Sequence, residues 1–138
     1  MIIERQINAS PAAVWSHLGS LDRWAELLPT VDGIERVGEA GPIAVGSRFV
    51  VRQSGLATAV YEVTDWRPGQ GFTWTAAASG VRTEASHELR PSGEGARLVL
   101  AIEWTGPAAW LAKAFFSRKA RAYMEREAEA FAALAEQG

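Results

Sequence analysis

The sequence predicts an α+β fold, a seven-stranded antiparallel sheet completed by one long C-terminal helix. Three observations carry that expectation. From Val31 to Thr105 apolar and polar residues alternate with period two, as in strands with one buried face. The separators "AGPIAVG", "SGLA", "RPGQG", "ASG" and "PSGEG" are short and rich in turn residues, which favours antiparallel neighbours over parallel crossover units. After Pro107, the stretch from about Ala108 to Ala135 contains neither glycine nor proline, so nothing interrupts a helix there.

Each element has its own signal. "MIIERQIN" opens as a strand, with Ile3, Arg5 and Ile7 alternating against Ile2, Glu4 and Gln6. Ser10 can cap a first short helix, Pro11 suits its first position, and Val14, Trp15 and Leu18 form its apolar stripe. Gly19 can end it, and Ser20 can cap a second short helix that carries Trp24, Leu27 and Leu28 before Pro29. Six strands follow: "GIERVGE", "SRFVVRQ", "TAVYEVTDW", "GFTWTAA", "VRTEASHEL" and "ARLVLAIEW". In the final helix Trp110/Leu111, Ala114/Phe115, Tyr123/Met124, Phe131 and Leu134 trace an apolar stripe. Arg118, Lys119, Arg121, Glu125, Arg126 and Glu129 can occupy other faces, and the basic cluster from Ser117 to Arg121, diluted by nearby Glu125, Glu127 and Glu129, reads as a solvated face.

The bulk properties narrow the function classes. A chain of 138 residues reads as a single domain, 1–138, able to bury roughly two-thirds of its unfolded surface. A formal net charge of −2 gives no general pull toward nucleic acid or an anionic bilayer. No apolar run approaches the ~20 residues that span a membrane, and "MIIERQINAS" lacks the basic and apolar regions of a signal peptide. A cytoplasmic protein without stable membrane insertion is the expectation. With no cysteine and two histidines, neither disulfides nor a zinc site are expected. Six tryptophans and five phenylalanines either fill a core or wall a cavity.

The order strand, two short helices, six strands, long helix resembles the START-like superfamily, also called SRPBCC, and most closely its bacterial polyketide cyclase/dehydrase-like branch. The resemblance rests on "INASPAAVWSHLGSLDRWAELLPTVDGIERV", "VGSRFVV" and "HELRPSGEGARLVLAIEWTGP", and it spans nearly the whole chain. It implies a helix-grip fold: a curved seven-stranded sheet wraps the C-terminal helix and leaves an elongated cavity between them. Two short helices would close one end, with Trp24 near the mouth or bracing it. Functions within the superfamily range from lipid carriage to aromatic cyclisation, so the fold does not specify one.

Strand parity selects an inward set: Phe49, Val51, Tyr61, Val63, Phe72, Trp74, Thr83, Ala85, His87, Leu98, Leu100, Ile102 and Trp104. Trp24 and Leu28 join it from the short helices, and Ala114 and Phe115 from the long one. His87 stands out because its strand neighbours on that face, Thr83 and Ala85, are small. It is read as a structural histidine, a ligand contact or a general acid–base group. Tyr61 can orient a ligand oxygen or simply pack. Asp65 shares its parity with Tyr61 and Val63, though a bend near the strand end would turn it to solvent. No carboxylate pair, nucleophile elbow or phosphate-binding glycine motif is present.

These readings converge on a domain that binds a small hydrophobic or aromatic molecule in an internal cavity, needing no cofactor and binding no nucleic acid. An aromatase/cyclase or dehydratase using His87 or Tyr61 is the alternative. A protein-interaction module with a vestigial cavity is the second. A monomer and a homodimer are both compatible with the sequence.

Overall fold

The computed structural model describes residues 1–137. The helix-grip expectation holds. Strand β1 (Ile2–Ile7) leads to helix α1 (Pro11–Leu18), and a 3₁₀ turn (Leu21–Arg23) runs into the one-turn helix α2 (Trp24–Leu27). Strands β2 (Gly33–Arg36), β3 (Arg48–Arg52), β4 (Ala59–Arg67), β5 (Gly71–Ala78), β6 (Val81–Ser92) and β7 (Gly95–Thr105) precede helix α3 (Ala109–Gln137). All seven strands form one antiparallel sheet in the order β1-β7-β6-β5-β4-β3-β2. The chain closes the order by returning β7 beside β1.

Local chemistry sets these elements. Ser10 Oγ accepts from the Ala13 amide at 3.2 Å and caps α1, as its position predicts. Ser20 does not cap: its hydroxyl donates to the Ser16 carbonyl at 2.6 Å, and the chain enters α2 through the 3₁₀ turn. Two residues, Ser79 and Gly80, join β5 to β6 with φ of 52° and 78°. That is the left-handed pair a tight hairpin turn requires. At the corner from β7 into α3, Gly106 has φ +105° and a side chain there would meet the Gly80 carbonyl at 2.5 Å. Only glycine lets the two backbones approach this closely.

Between Val63 and Asp65 the β4–β5 register slips, so that Thr64 is an extra residue in β4. Such a bulge reverses the parity beyond it. Trp66, not Asp65, therefore faces inward, its ring 5.6 Å from Phe72 and 5.1 Å from Trp15. Asp65 pairs with Arg67 at 2.8 Å, and Arg67 also bonds Glu88. The inward parity read for Asp65 is thus overturned by one inserted residue.

The stripe read on α3 is also corrected. Its buried side is Ala109, Ala112, Ala120, Met124, Ala128, Phe131, Ala132 and Ala135. Ala114 is exposed, Trp110 is 67% exposed and Phe115 73%, so neither Ala114 nor Phe115 belongs to the inward set. The first turns are apolar on every side, from Ala109 through Ala112 and again from Ala114 through Phe116. Periodicity there has no unique phase, and the small side chains, not the large ones, face the sheet.

Trp24 lies at the centre of the core. It is 1% exposed, its Nε1 donates to the Leu18 carbonyl at 3.2 Å, and its ring has four close aromatic partners. These are Trp74 at 5.2 Å, His87 at 5.5 Å, Phe131 at 5.7 Å and Phe72 at 5.9 Å. It joins α2 to β5, β6 and α3 at once. Trp24→Ala is expected to lower the unfolding free energy by about 3–5 kcal/mol, the scale for a deleted core aromatic. Chemical denaturation measures it, and a loss below about 1 kcal/mol would mean the ring is not the bracing element.

Candidate functional site

Between the concave face of the sheet and the first two-thirds of α3 lies a cavity of about 340 Å³. It exists because side chains of very different size alternate around it. Trp74, Tyr61 and Trp104 form walls, while Ala76, Ala85, Ala112 and Ala120 leave the space unfilled. The rim holds Leu56 and Ala57 of the β3–β4 loop, Ser79 of the β5–β6 turn and Phe116 of α3. That loop is tied to α3: Tyr123 donates its hydroxyl to the Ser54 carbonyl, and Lys119 Nζ donates to the Gly55 carbonyl at 2.9 Å.

Of the residues read as inward from the sequence, Trp24, Val51, Tyr61, Trp74, Thr83, Ala85, His87, Leu100, Ile102 and Trp104 line this cavity. Leu28, Phe49, Val63, Phe72 and Leu98 are buried in the core outside the lining. Ala114 and Phe115 face away from it, as described above. Trp24 is part of the packed core, 1% exposed, and also lines the cavity. It does not form the mouth.

His87 does face inward. Its ring stacks on Phe72 at 4.2 Å and 8° and lies edge-on to Trp24 and Trp74. It is 5% exposed, and its Nδ1 has no hydrogen-bond partner. Burial pushes its pKa down to about 3, against the opposing effect of the Phe72 backbone, because the charged form loses its hydration. Tyr61 moves the other way, to about 12, through burial and then the nearby Glu127 charge. Neither sequence-read acid–base candidate therefore titrates near neutral pH.

Glu127 enters it. This half-buried residue of α3 lines the cavity, and burial raises its carboxyl to about 7, opposed by a hydrogen bond from Thr30 Oγ1 at 3.3 Å. The sequence reading placed it on a solvated face. Its signal was nonetheless present: Ala112, Phe116, Ala120, Tyr123 and Glu127 recur every three or four residues and share the cavity face. The wrong helix phase concealed it. His17, the other histidine, lies on α1 outside the cavity lining. Among the described residues, no three histidine or carboxylate side chains are grouped for a metal ion.

A wider surface depression of about 530 Å³ beside Met1, Glu84, Glu103, Lys113 and Ser117 holds none of these buried acid–base groups.

The curved sheet wrapped on the long helix defines a helix-grip protein. The sequence matches the family described as polyketide cyclase / dehydrase and lipid transport over residues 3–136. The chain belongs to that family, within the SRPBCC superfamily. No curated protein matches the sequence significantly.

Among solved structures, the chain is similar to the di-domain ARO/CYC StfQ from the steffimycin biosynthetic pathway, with a TM-score of 0.83 and 14% identity. That match covers 99% of this chain and 50% of StfQ, so the chain spans half of its length. The Zhui aromatase/cyclase from a Streptomyces species gives a TM-score of 0.74 at 15% identity, covering 99% of this chain and 93% of that one. Norcoclaurine synthase from Thalictrum flavum gives 0.74 at 16% identity, covering 100% and 86%. At these identities the likeness is one of fold.

The pKa shifts have opposite consequences for stability. Glu127 is raised from 4.5 to about 7 in the folded state, so its contribution is full below pH 4.5 and is lost as pH rises through about 7. His87 is lowered from 6.5 to about 3, so its contribution is present above pH 6.5 and is lost as pH falls toward 3. Glu127→Gln removes only the first. Relative to the wild type, the variant is expected to gain about 1–3 kcal/mol between pH 5 and pH 8, read as a rise in Tm difference across that range. A Tm difference independent of pH would place the carboxyl in solvent.

Proposed function

We propose that the protein binds a small, largely apolar or aromatic molecule in this cavity, its polar end toward Tyr61 and Glu127. The observation that carries the reading is the cavity: open at its rim, walled by aromatic rings, and furnished with few polar groups. Small-molecule sites usually have that composition. The family's description and the aromatase/cyclase neighbours support the same class of ligand.

A second reading, an aromatase/cyclase or dehydratase, is favoured by one specific feature. Glu127 titrates near pH 7 inside an apolar cavity and interacts with Tyr61, and acid–base catalysis works best with a group poised near the working pH. In that reading the Glu127 carboxylate takes a proton from a carbon beside a carbonyl, and the Tyr61 phenol donates a hydrogen bond to the enolate oxygen that develops. His87, neutral at physiological pH, lines the pocket and shuttles no proton. The interaction-module reading draws on the exposed Trp110, Leu111 and Phe115, but the unfilled cavity speaks for a ligand.

Thr83→Phe tests the binding reading. Thr83 lies on β6 between Val81 and Ala85 on the cavity wall, so the larger ring would occupy the cavity without replacing a buried core residue. Affinity for a neutral fluorescent probe, N-phenyl-1-naphthylamine, is expected to fall at least tenfold while Tm changes by only a few degrees. Undiminished probe binding would sink the assignment. Native mass spectrometry of protein from its own host would identify a co-purified molecule directly.

A further inference from the structure

Glu127 is the only Asp, Glu, Lys or Arg among the residues that line the cavity. No cation pairs with it among the described residues. Its one polar partner is the Thr30 hydroxyl, which donates to it at 3.3 Å and so favours the ionised form. The other titratable groups on the lining are Tyr61 of β4, His87 of β6 and Tyr123 of α3. Tyr61, pushed up to about 12, and His87, pushed down to about 3, are both neutral at physiological pH. The Tyr123 hydroxyl is engaged with the Ser54 carbonyl. The remaining elements bring only uncharged side chains to the lining, among them Trp24, Val31, Gln53, Trp74 and Trp104. The Lys119 ammonium stands beside the rim loop, engaged with the Gly55 carbonyl at 2.9 Å. Above about pH 7 the lining itself therefore offers one negative charge and no positive one.

A carboxylate held in apolar surroundings without a counter-charge is costly, and it is relieved by taking a proton or by meeting a cation. An anionic ligand would be repelled. A neutral ligand gains one hydrogen bond, whereas a cation gains a Coulomb attraction that the low local dielectric strengthens. The walls agree with this choice. The Tyr61 and Trp74 rings pack on each other at 4.8 Å and 31° and both line the cavity, so aromatic surface of the kind that attracts a cation borders it, and the carboxylate and phenol oxygens accept hydrogen bonds from an ammonium group.

We infer that the ligand of this cavity is an apolar or aromatic amine, bound as its ammonium ion by the Glu127 carboxylate with Tyr61 and Trp74 alongside. This rests on the ligand-binding reading above. At pH values below about 7 the amine must first displace the proton from Glu127, so its affinity falls with pH, and above that value it levels off.

Isothermal titration with two isosteric probes, 2-naphthylmethylamine and 2-naphthylmethanol, tests the inference. The amine is expected to bind at least tenfold tighter than the alcohol at pH 8. Its affinity should fall about tenfold or more by pH 5.5, and that of the alcohol should stay nearly level. In Glu127→Gln the amine-to-alcohol preference at pH 8 should drop below threefold. The wild-type pH profile gives the same information if that variant folds poorly. Equal affinities at pH 8, a preference that survives in Glu127→Gln, or tighter binding of the alcohol would overturn the inference and leave the cavity as a site for neutral ligands. Failure of both probes to bind would overturn the ligand-binding reading and this inference with it.

Discussion

The contacts of Trp24 hold this structure together. Helix α2 has only one turn, too short to be stable alone, and it is fixed because its tryptophan is inserted among rings from β5, β6 and α3. The indole hydrogen bond to the Leu18 carbonyl satisfies the one polar atom that would otherwise be buried unpaired. Sheet, short helices and long helix thus share one side chain. The cavity begins where that cluster stops, at the alanines of α3 and the inner strands.

The division between packed core and open cavity also sorts the titratable groups. His87 sits against the ring cluster, where burial strips the charge from its imidazole. Tyr61 lines the cavity from the sheet and Glu127 from α3, and each is raised by burial. One environment therefore makes a base weaker and two acids weaker. Only the carboxyl ends near neutrality, because it starts low and the Thr30 hydroxyl restrains its rise. The group poised to respond to a ligand is thus not the one whose ordinary pKa lies near 7.

Membership of the family, and likeness of fold to aromatase/cyclases, leave the particular function open. The same helix grip serves proteins whose names imply different reactions, so what distinguishes them lies in particular side chains and not in the fold. In this chain the cavity lining is aromatic and aliphatic, with one carboxyl. Its exposed outer face on α3, with Trp110 and Phe115 in solvent, follows from the same arrangement: the small residues turned inward make room for a cavity, and the large ones on the other faces have nothing to cover them.

The sequence by itself determined the strand and helix order, the antiparallel pairing and most of the concave wall. Alternation on β3 and on β5 to β7 is regular, and a period-two pattern leaves only one face to bury. It also placed His87 correctly on that face. Three things were decided only in the tertiary structure. The bulge at Thr64 turned Asp65 outward, since one inserted residue reverses parity without any mark in composition. The phase of α3 was set by how closely the helix approaches the sheet, because apolar residues surround its first turns on every side. And Glu127 became a cavity group only once that phase was fixed, since glutamates that look equivalent along a helix differ by which of them the neighbouring strands cover.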